Sequence, residues 1–133
     1  SLLTGETRDP LIRSSVLPVD EAFAFTSFIE ATDNLILLWE IRDGYYLYRQ
    51  SITAQDENGT LLILGTLPEG EALEDEYFGK VSVYYDRLLY RSPLTVFPST
   101  DNAIEFTLQY QGCAKDRYCY PMQVKTVSVA LPQ

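Results

Sequence analysis

The feature that most constrains this chain is an alternation of apolar and polar residues over short segments. Between positions 104 and 110, Ile, Phe, Leu and Tyr alternate with polar side chains, and a period of two is typical of a half-buried strand. No segment shows a sustained helical period. Turn residues such as Asp43-Gly44 and Asn58-Gly59 separate the segments, so we predict an antiparallel β-sandwich with little helix. The other candidate strands are Ala22–Ile29, Leu35–Ile41, Tyr45–Thr53, Leu61–Leu67, Val81–Tyr85, Leu88–Val96 and Val124–Leu131.

The length of 133 residues predicts a single domain over residues 1–133. Positions 1–18 contain Pro10 and Pro18 and little periodicity, so we predict an irregular N-terminal arm. The acidic run Glu69–Glu76 is interpreted as a solvated loop. No apolar stretch approaches the roughly 20 residues that span a bilayer, so we expect no direct membrane insertion by this fragment.

Charge and composition exclude several classes of function. The chain has 10 Lys and Arg against 19 Asp and Glu, and this excess of negative charge is unfavourable for contacting a nucleic-acid backbone. The absence of histidine excludes Ser-His-Asp and Cys-His catalysis and HExxH zinc sites. Two cysteines cannot complete a four-ligand Cys/His zinc site, and no glycine-rich phosphate loop is present. We therefore expect neither a metal nor a cofactor.

The two cysteines, Cys113 and Cys119, enclose five residues between two predicted strands. One interpretation is a structural disulfide of a secreted domain. Closing about seven residues contributes roughly 2.4 kcal/mol in the chain-entropy treatment, against roughly 4.3 kcal/mol for a bridge closing about 65. A disulfide that closes a short loop therefore contributes comparatively little to stability, and exposed or strained disulfides of this kind are often redox-active. The residues alone leave both interpretations open.

Three motifs give a more specific indication. They are Asp43–Arg49 (DGYYLYR), Glu74–Lys80 (EDEYFGK) and Tyr110–Pro121, in which Gly112-Cys113 and Tyr118-Cys119-Tyr120 stand. In this order and spacing they resemble the N-terminal periplasmic domain of the thiol:disulfide interchange protein DsbD, from about Leu17 to Val129. The resemblance implies an immunoglobulin-like fold. It also implies a thiol:disulfide oxidoreductase in the bacterial periplasm, as one domain of a larger inner-membrane protein.

The resemblance also implies roles for individual residues. Cys113 and Cys119 would form the redox pair, with Cys119 exchanging with partners, and Tyr46 and Tyr48 would line the site. A cap loop would cover the disulfide, formed by Asp75, Glu76, Tyr77, Phe78 and Gly79. The family's usual cap tip is Phe, whereas Tyr77 holds that position here and Phe78 the next, so which ring covers the sulfurs stays open.

The implied partners are proteins. Electrons would come from the C-terminal thioredoxin-like domain of the same protein. They would pass to periplasmic thioredoxin-fold proteins, such as the disulfide isomerase DsbC and a cytochrome c maturation thioredoxin. The alternative from a different class is a non-catalytic immunoglobulin-like binding or adhesion domain with a structural disulfide. The cap motif beside the cysteines distinguishes the two, because a staple does not need one.

Overall fold

The computed structural model describes residues 16–132. A one-turn helix precedes a series of short strands, and single 3-10 turns at Arg49–Ser51 and Leu94–Val96 interrupt the series. The elements are α1 (Val19–Ala22), β1 (Phe23–Glu30), β2 (Asn34–Ile41), β3 (Tyr45–Tyr48), β4 (Thr53–Gln55), β5 (Glu71–Asp75), β6 (Gly79–Tyr84), β7 (Arg87–Pro93), β8 (Ala103–Tyr110), β9 (Gly112–Ala114), β10 (Tyr118–Cys119) and β11 (Gln123–Ala130).

The strands form three antiparallel sheets, with the orders β1-β2-β7, β10-β9-β3-β6-β5 and β11-β8-β4. All three contribute to one core, for example through Trp39 of β2, Leu47 of β3 and Leu108 of β8, each 0% exposed. The rings of Trp39 and Tyr110 meet edge to face across the sheets, with centroids 5.5 Å apart. The predicted antiparallel sandwich with little helix is confirmed.

Strand β8 shows why the alternation was informative. Its apolar residues, from Ile104 to Tyr110, are the buried ones, and it pairs with β11 along its whole length. Burying every second side chain requires a partner sheet on one face and tolerates water on the other. Wherever the alternation is clean, the predicted strand is present.

Three strand predictions need correction. Leu61–Leu67 is not a strand: Leu61 makes one isolated bridge to Gln55, and the segment then leaves the sheet with Ile63 89% exposed. The predicted strand Tyr45–Thr53 is divided into β3 and β4 by the 3-10 turn between them, and Leu88–Val96 ends as a strand at Pro93. An apolar run becomes a strand only where a neighbour supplies its hydrogen bonds.

The solvated-loop prediction for Glu69–Glu76 is wrong over most of its length. Glu71–Asp75 is strand β5, which pairs with β6 at the edge of the five-stranded sheet. Glu71 and Glu74 are exposed, as suits an edge strand, but Asp75 is only 5% exposed. The charge run thus hides one buried carboxylate.

Most of the predicted N-terminal arm, residues 1–15, lies outside the described residues. Val16–Pro18 have no regular secondary structure and lead into α1. Among residues 16–132, no helix is long and apolar enough to cross a membrane.

Gly112 permits a close approach that the sandwich needs next to Cys113. A Cβ at this position would lie 2.5 Å from the Phe23 ring and 2.6 Å from the Tyr46 carbonyl oxygen. We predict that Gly112→Ala lowers the free energy of unfolding by about 3 kcal/mol, at the upper end for overpacking, because backbone as well as ring must move. Urea denaturation measures this. Gly65→Ala is the control, since its backbone is not left-handed and the one atom within 4 Å of a Cβ there is the Tyr90 hydroxyl oxygen at 3.1 Å. An equal loss in both variants would contradict the close-approach argument.

Candidate functional site

The two cysteines lie directly opposite each other on the β9–β10 hairpin. Cys113 pairs in register with Cys119, their Cα atoms are 4.0 Å apart, and the sulfurs form a disulfide. Cys113 is 0% exposed, whereas Cys119 is half-buried. The hairpin is at the sheet edge, so its outer cysteine is the one that solvent and proteins can reach.

Strand β3 supplies the floor of the site. All four of its residues are buried, because the strand has packed side chains on both faces. Tyr45 and Leu47 face the main core, while Tyr46 and Tyr48 form a second cluster with Cys113 and Val83, against which Cys119 packs. Tyr46 is also the register partner of Cys113, so the alternation of β3 places two phenols beside the disulfide.

Asp75, at the end of β5, joins these phenols to the cap turn. Its Oδ2 accepts hydrogen bonds from both the Tyr46 and Tyr48 hydroxyls, the latter at 2.6 Å. Its Oδ1 accepts the backbone N–H groups of Tyr77 at 2.6 Å and Phe78 at 2.9 Å. A single carboxylate therefore orients two side chains and closes one turn.

Burial and these hydrogen bonds act in opposite directions on the pKa of Asp75. Burial raises it, but the bonds from Tyr46, Tyr48 and the turn amides together leave the pKa below its usual value. The two phenols respond in the opposite sense. Burial, followed by the hydrogen bond to the Asp75 carboxylate, raises the pKa of both Tyr46 and Tyr48 well above that of free tyrosine. Asp75 is thus the charged member of the network, and both phenols stay protonated.

The Tyr48 hydroxyl contacts both sulfurs. Its oxygen lies 3.1 Å from Cys113 Sγ and 3.6 Å from Cys119 Sγ. Because a hydroxyl carries one hydrogen and Tyr48 donates that hydrogen to Asp75, the oxygen presents lone pairs to the disulfide. A negative charge developing on either sulfur would therefore meet an electron-rich neighbour.

The cap turn carries two exposed rings. Gly79 adopts φ of 76°, the left-handed geometry that closes the turn, and pairs with Asp75. Phe78 packs edge-on against Tyr48 with centroids 5.0 Å apart. Burial first, then the charges of Glu76 and Asp75, raise the pKa of the Tyr77 hydroxyl.

The structure therefore brings the predicted site residues together around one disulfide. The hydroxyls of Tyr46 and Tyr48 both donate to Asp75, and the cap turn follows directly, with Glu76, Tyr77 and Phe78 exposed. Sequence reasoning missed the packing residue Val83 and a groove of about 310 Å³ beside Tyr48 and Phe78. The alternation in β6 could have indicated Val83. The groove has no signal in the sequence, because its lining comes from separate segments: Tyr48, Gln50, Ser51, Phe78, Lys80, Val81, Gln111 and Met122.

Fold and site define a class of protein, an all-β sandwich domain with a disulfide across an edge hairpin beside a cap turn. The sequence matches the family model described as thiol:disulfide interchange protein DsbD, N-terminal, over residues 13–131. The chain belongs to this family.

Curated relatives agree with the family model. The chain is 42% identical over 118 residues to the thiol:disulfide interchange protein DsbD of Escherichia coli K12, which covers 89% of this chain and 20% of that protein. It is 40% identical over 114 residues to DsbD of Photorhabdus laumondii, covering 86% of this chain and 19% of that protein. The chain thus spans about a fifth of the length of these relatives.

Two solved structures share the fold. The reduced N-terminal domain of Neisseria meningitidis DsbD matches with a TM-score of 0.74 and 28% identity over 90% of this chain and 94% of that one. The same domain in a complex with the N-terminal domain of PilB matches with a TM-score of 0.64 and 28% identity, covering 85% of this chain and 86% of that one. The implied immunoglobulin-like fold is confirmed.

The depressed pKa of Asp75 predicts an acid-sensitive contribution to stability. The folded-state pKa lies below the unfolded value of about 3.9, so the contribution is present above that pH and is lost as the pH falls through the folded pKa. We expect Asp75→Asn to lower the free energy of unfolding of the oxidised protein at pH 7 by about 1.5–3 kcal/mol.

The difference between wild type and Asp75→Asn should narrow below about pH 4, as measured by urea denaturation across a pH series. Glu74→Gln is the matched control, since Glu74 is the exposed neighbour on the same strand. A difference that stays constant from pH 7 down to pH 2 would show that the Asp75 charge is not what stabilises the network.

Proposed function

We propose that residues 1–133 act as one redox domain, a thiol:disulfide oxidoreductase module that cycles between a Cys113–Cys119 disulfide and the dithiol. The observation that carries this proposal is the setting of the bridge: both sulfurs contact a tyrosine hydroxyl that a buried carboxylate orients. Membership of the DsbD N-terminal family supports it.

The structural-staple alternative is weakened by the position of the bridge. Cys113 and Cys119 are already register partners in the β9–β10 hairpin, and only five residues lie between them in the sequence. A bridge that closes so short a loop removes little entropy from the unfolded chain.

The exchange runs through a mixed disulfide. In the reduced domain the Cys119 thiolate attacks a partner disulfide, forms a Cys119–partner bond and releases one partner thiolate. The Cys113 thiolate then attacks Cys119 Sγ, closes the Cys113–Cys119 bond and releases the second partner thiolate. The partner gains two electrons and two protons, and this domain loses them. Cys119 takes the outer role because it is half-buried, whereas Cys113 is 0% exposed.

The lone pairs of Tyr48 explain how the reduced domain avoids unspecific exchange. Held by Asp75, the Tyr48 oxygen disfavours a thiolate at the sulfurs it contacts, and the thiolate is the reactive form. A docked partner that displaces the cap turn would move Phe78 off Tyr48 and relax this arrangement. Cap and carboxylate together make reactivity depend on the partner.

The partners are proposed to be thioredoxin-fold proteins. The complex of the Neisseria DsbD N-terminal domain with the PilB N-terminal domain supports a protein partner. We propose the C-terminal thioredoxin-like domain of the same protein as electron donor. DsbC and a cytochrome c maturation thioredoxin are the proposed acceptors, and the bacterial periplasm the compartment. The groove between Phe78 and Met122, both exposed, offers an apolar contact beside Tyr48, whose hydroxyl contacts Cys119.

Single-cysteine variants test the assigned roles. Cys113→Ala should trap a mixed disulfide with an oxidised thioredoxin-fold protein, because the resolving thiol is gone while Cys119 stays reachable. Cys119→Ala should trap about tenfold less at equal times, a barrier difference of roughly 1.4 kcal/mol. Non-reducing gel electrophoresis measures both, and the double variant is the blank. Equal trapping by the two variants would contradict the roles, and no trapping by either would favour the non-catalytic binding domain.

Alanine substitutions test the cap. Phe78 packs against Tyr48, whose hydroxyl contacts both sulfurs, and Tyr77 is its neighbour in the cap turn, so we predict that the cap rings shield the disulfide. Replacing both with Ala should speed reduction by glutathione about tenfold, roughly 1.4 kcal/mol of barrier, and each single variant should give a smaller effect. Phe28→Ala is the control, an exposed ring on β1. Unchanged kinetics in the double variant would eliminate the cap role.

A further inference from the structure

The residues that lead into the fold are anchored at Leu17, where the backbone N–H and the backbone carbonyl each make a hydrogen bond to a tyrosine. The Leu17 N–H donates to the Tyr45 hydroxyl at 2.8 Å, and the Leu17 carbonyl accepts a hydrogen bond from the Tyr120 hydroxyl. We call this arrangement of Leu17, Tyr45 and Tyr120 the Leu17 clamp. A backbone unit bound on both sides by buried side chains is a fixed point, since each unmade bond would leave a polar group unsatisfied.

The clamp acts on the redox hairpin because Tyr120 directly follows Cys119. Strand β10 is two residues long and has β9 as its partner in the sheet. Tyr120 is 2% exposed, donates its N–H to the Gly112 carbonyl at 3.0 Å and packs edge-on against Phe23. With so short a strand, the position of Cys119 depends on how the next residue is anchored.

The other tyrosine of the clamp is equally close to the site. Tyr45 directly precedes Tyr46 and pairs with Ala114 of β9. Its ring stacks with that of Tyr120 at 6.4 Å and lies under the Arg117 guanidinium, whose carbon is 5.7 Å from the ring centroid. The clamp thus lies behind the hairpin, on the core side, while Tyr46 and Tyr48 line the front.

We propose that the Leu17 clamp is a positioning device for the redox couple: it holds Cys119 opposite Cys113 and so favours the disulfide over the dithiol. The proposal rests on the proposed exchange function in requiring that this couple cycles. The reaction is dithiol plus glutathione disulfide giving the Cys113–Cys119 disulfide plus two reduced glutathiones, a two-electron exchange. Holding two thiols together raises their effective concentration for closing the bridge.

Linkage makes the effect reciprocal. If the clamp favours the disulfide by a given factor, the disulfide must favour the clamp by the same factor. The segment at Leu17 is therefore held more tightly in the oxidised protein than in the reduced one. This gives the proposal a second readout that a purely structural role would not move.

The first measurement is the equilibrium constant for oxidation in glutathione buffers. Tyr120→Phe keeps the ring and removes the hydroxyl that donates to Leu17, so the constant should fall about three- to tenfold, and a tenfold fall raises the reduction potential by about 30 mV. Tyr45→Phe removes the hydroxyl that accepts the Leu17 N–H and should also lower the oxidation constant. The matched control is Tyr84→Phe. Tyr84 is another buried tyrosine, on β6, which β3 separates from the β9–β10 hairpin, and its hydroxyl donates to the Pro68 carbonyl. Removing this hydroxyl should leave the oxidation constant unchanged.

The second measurement is hydrogen exchange of the Leu17 amide. Its protection should be greater in the oxidised than in the reduced wild type, by the factor by which Tyr120→Phe shifts the oxidation constant. Unchanged oxidation constants in both clamp variants, or equal protection in the two redox states, would overturn the proposal. Failure of the proposed function is distinguishable, because the exchange comparison needs only chemically reduced and oxidised protein, whereas trapping of a partner needs turnover.

Discussion

The site depends on one buried carboxylate. Asp75 accepts two phenolic hydrogen bonds on one oxygen and two turn amides on the other, and the loss of hydration on burial is offset because every bond is made to the charged form. Without it, the phenols beside the disulfide would reorient and the cap turn would lose its closing bonds. Strand β5 exists at the sheet edge to deliver this group, and β6 with Gly79 returns the chain.

Much of the fold could be predicted from the alternation, because burial of one strand face is a local property of sequence. Strand β8 is the clearest example, with its apolar residues inside and its polar ones outside. Leu61–Leu67 was wrongly predicted as a strand, because apolar content does not reveal whether a neighbouring strand is available for pairing. The run Glu69–Glu76 misled in the opposite sense, since edge strands tolerate the charges that also mark loops.

The site was predictable as a set of residues and not as a geometry. The three motifs identify Cys113, Cys119 and the cap, but the bond between Tyr48 and Asp75 spans 27 positions and has no local signature. Tyr45 and Tyr46 are neighbours, but Tyr45 faces the main core and Tyr46 faces the disulfide. The pleat of β3 puts them on opposite faces, but which face meets the disulfide can be told only once the partner strands are known. The Leu17 clamp uses backbone groups, which every residue has, so no side-chain pattern could indicate it.

The short spacing of the cysteines has a consequence for the order of folding. The sulfurs are six positions apart and can meet in an unfolded chain by closing a loop, which takes about 10–100 ns. The contact of Tyr48 with Cys119 spans 71 positions and requires the sheet. Within these 133 residues the two cysteines have only each other as a partner. The sulfurs can thus meet before the sheet exists, whereas the shielding network forms only with the sheet. A chain that meets an oxidant before its sheet has formed therefore closes this bridge without the network that shields it.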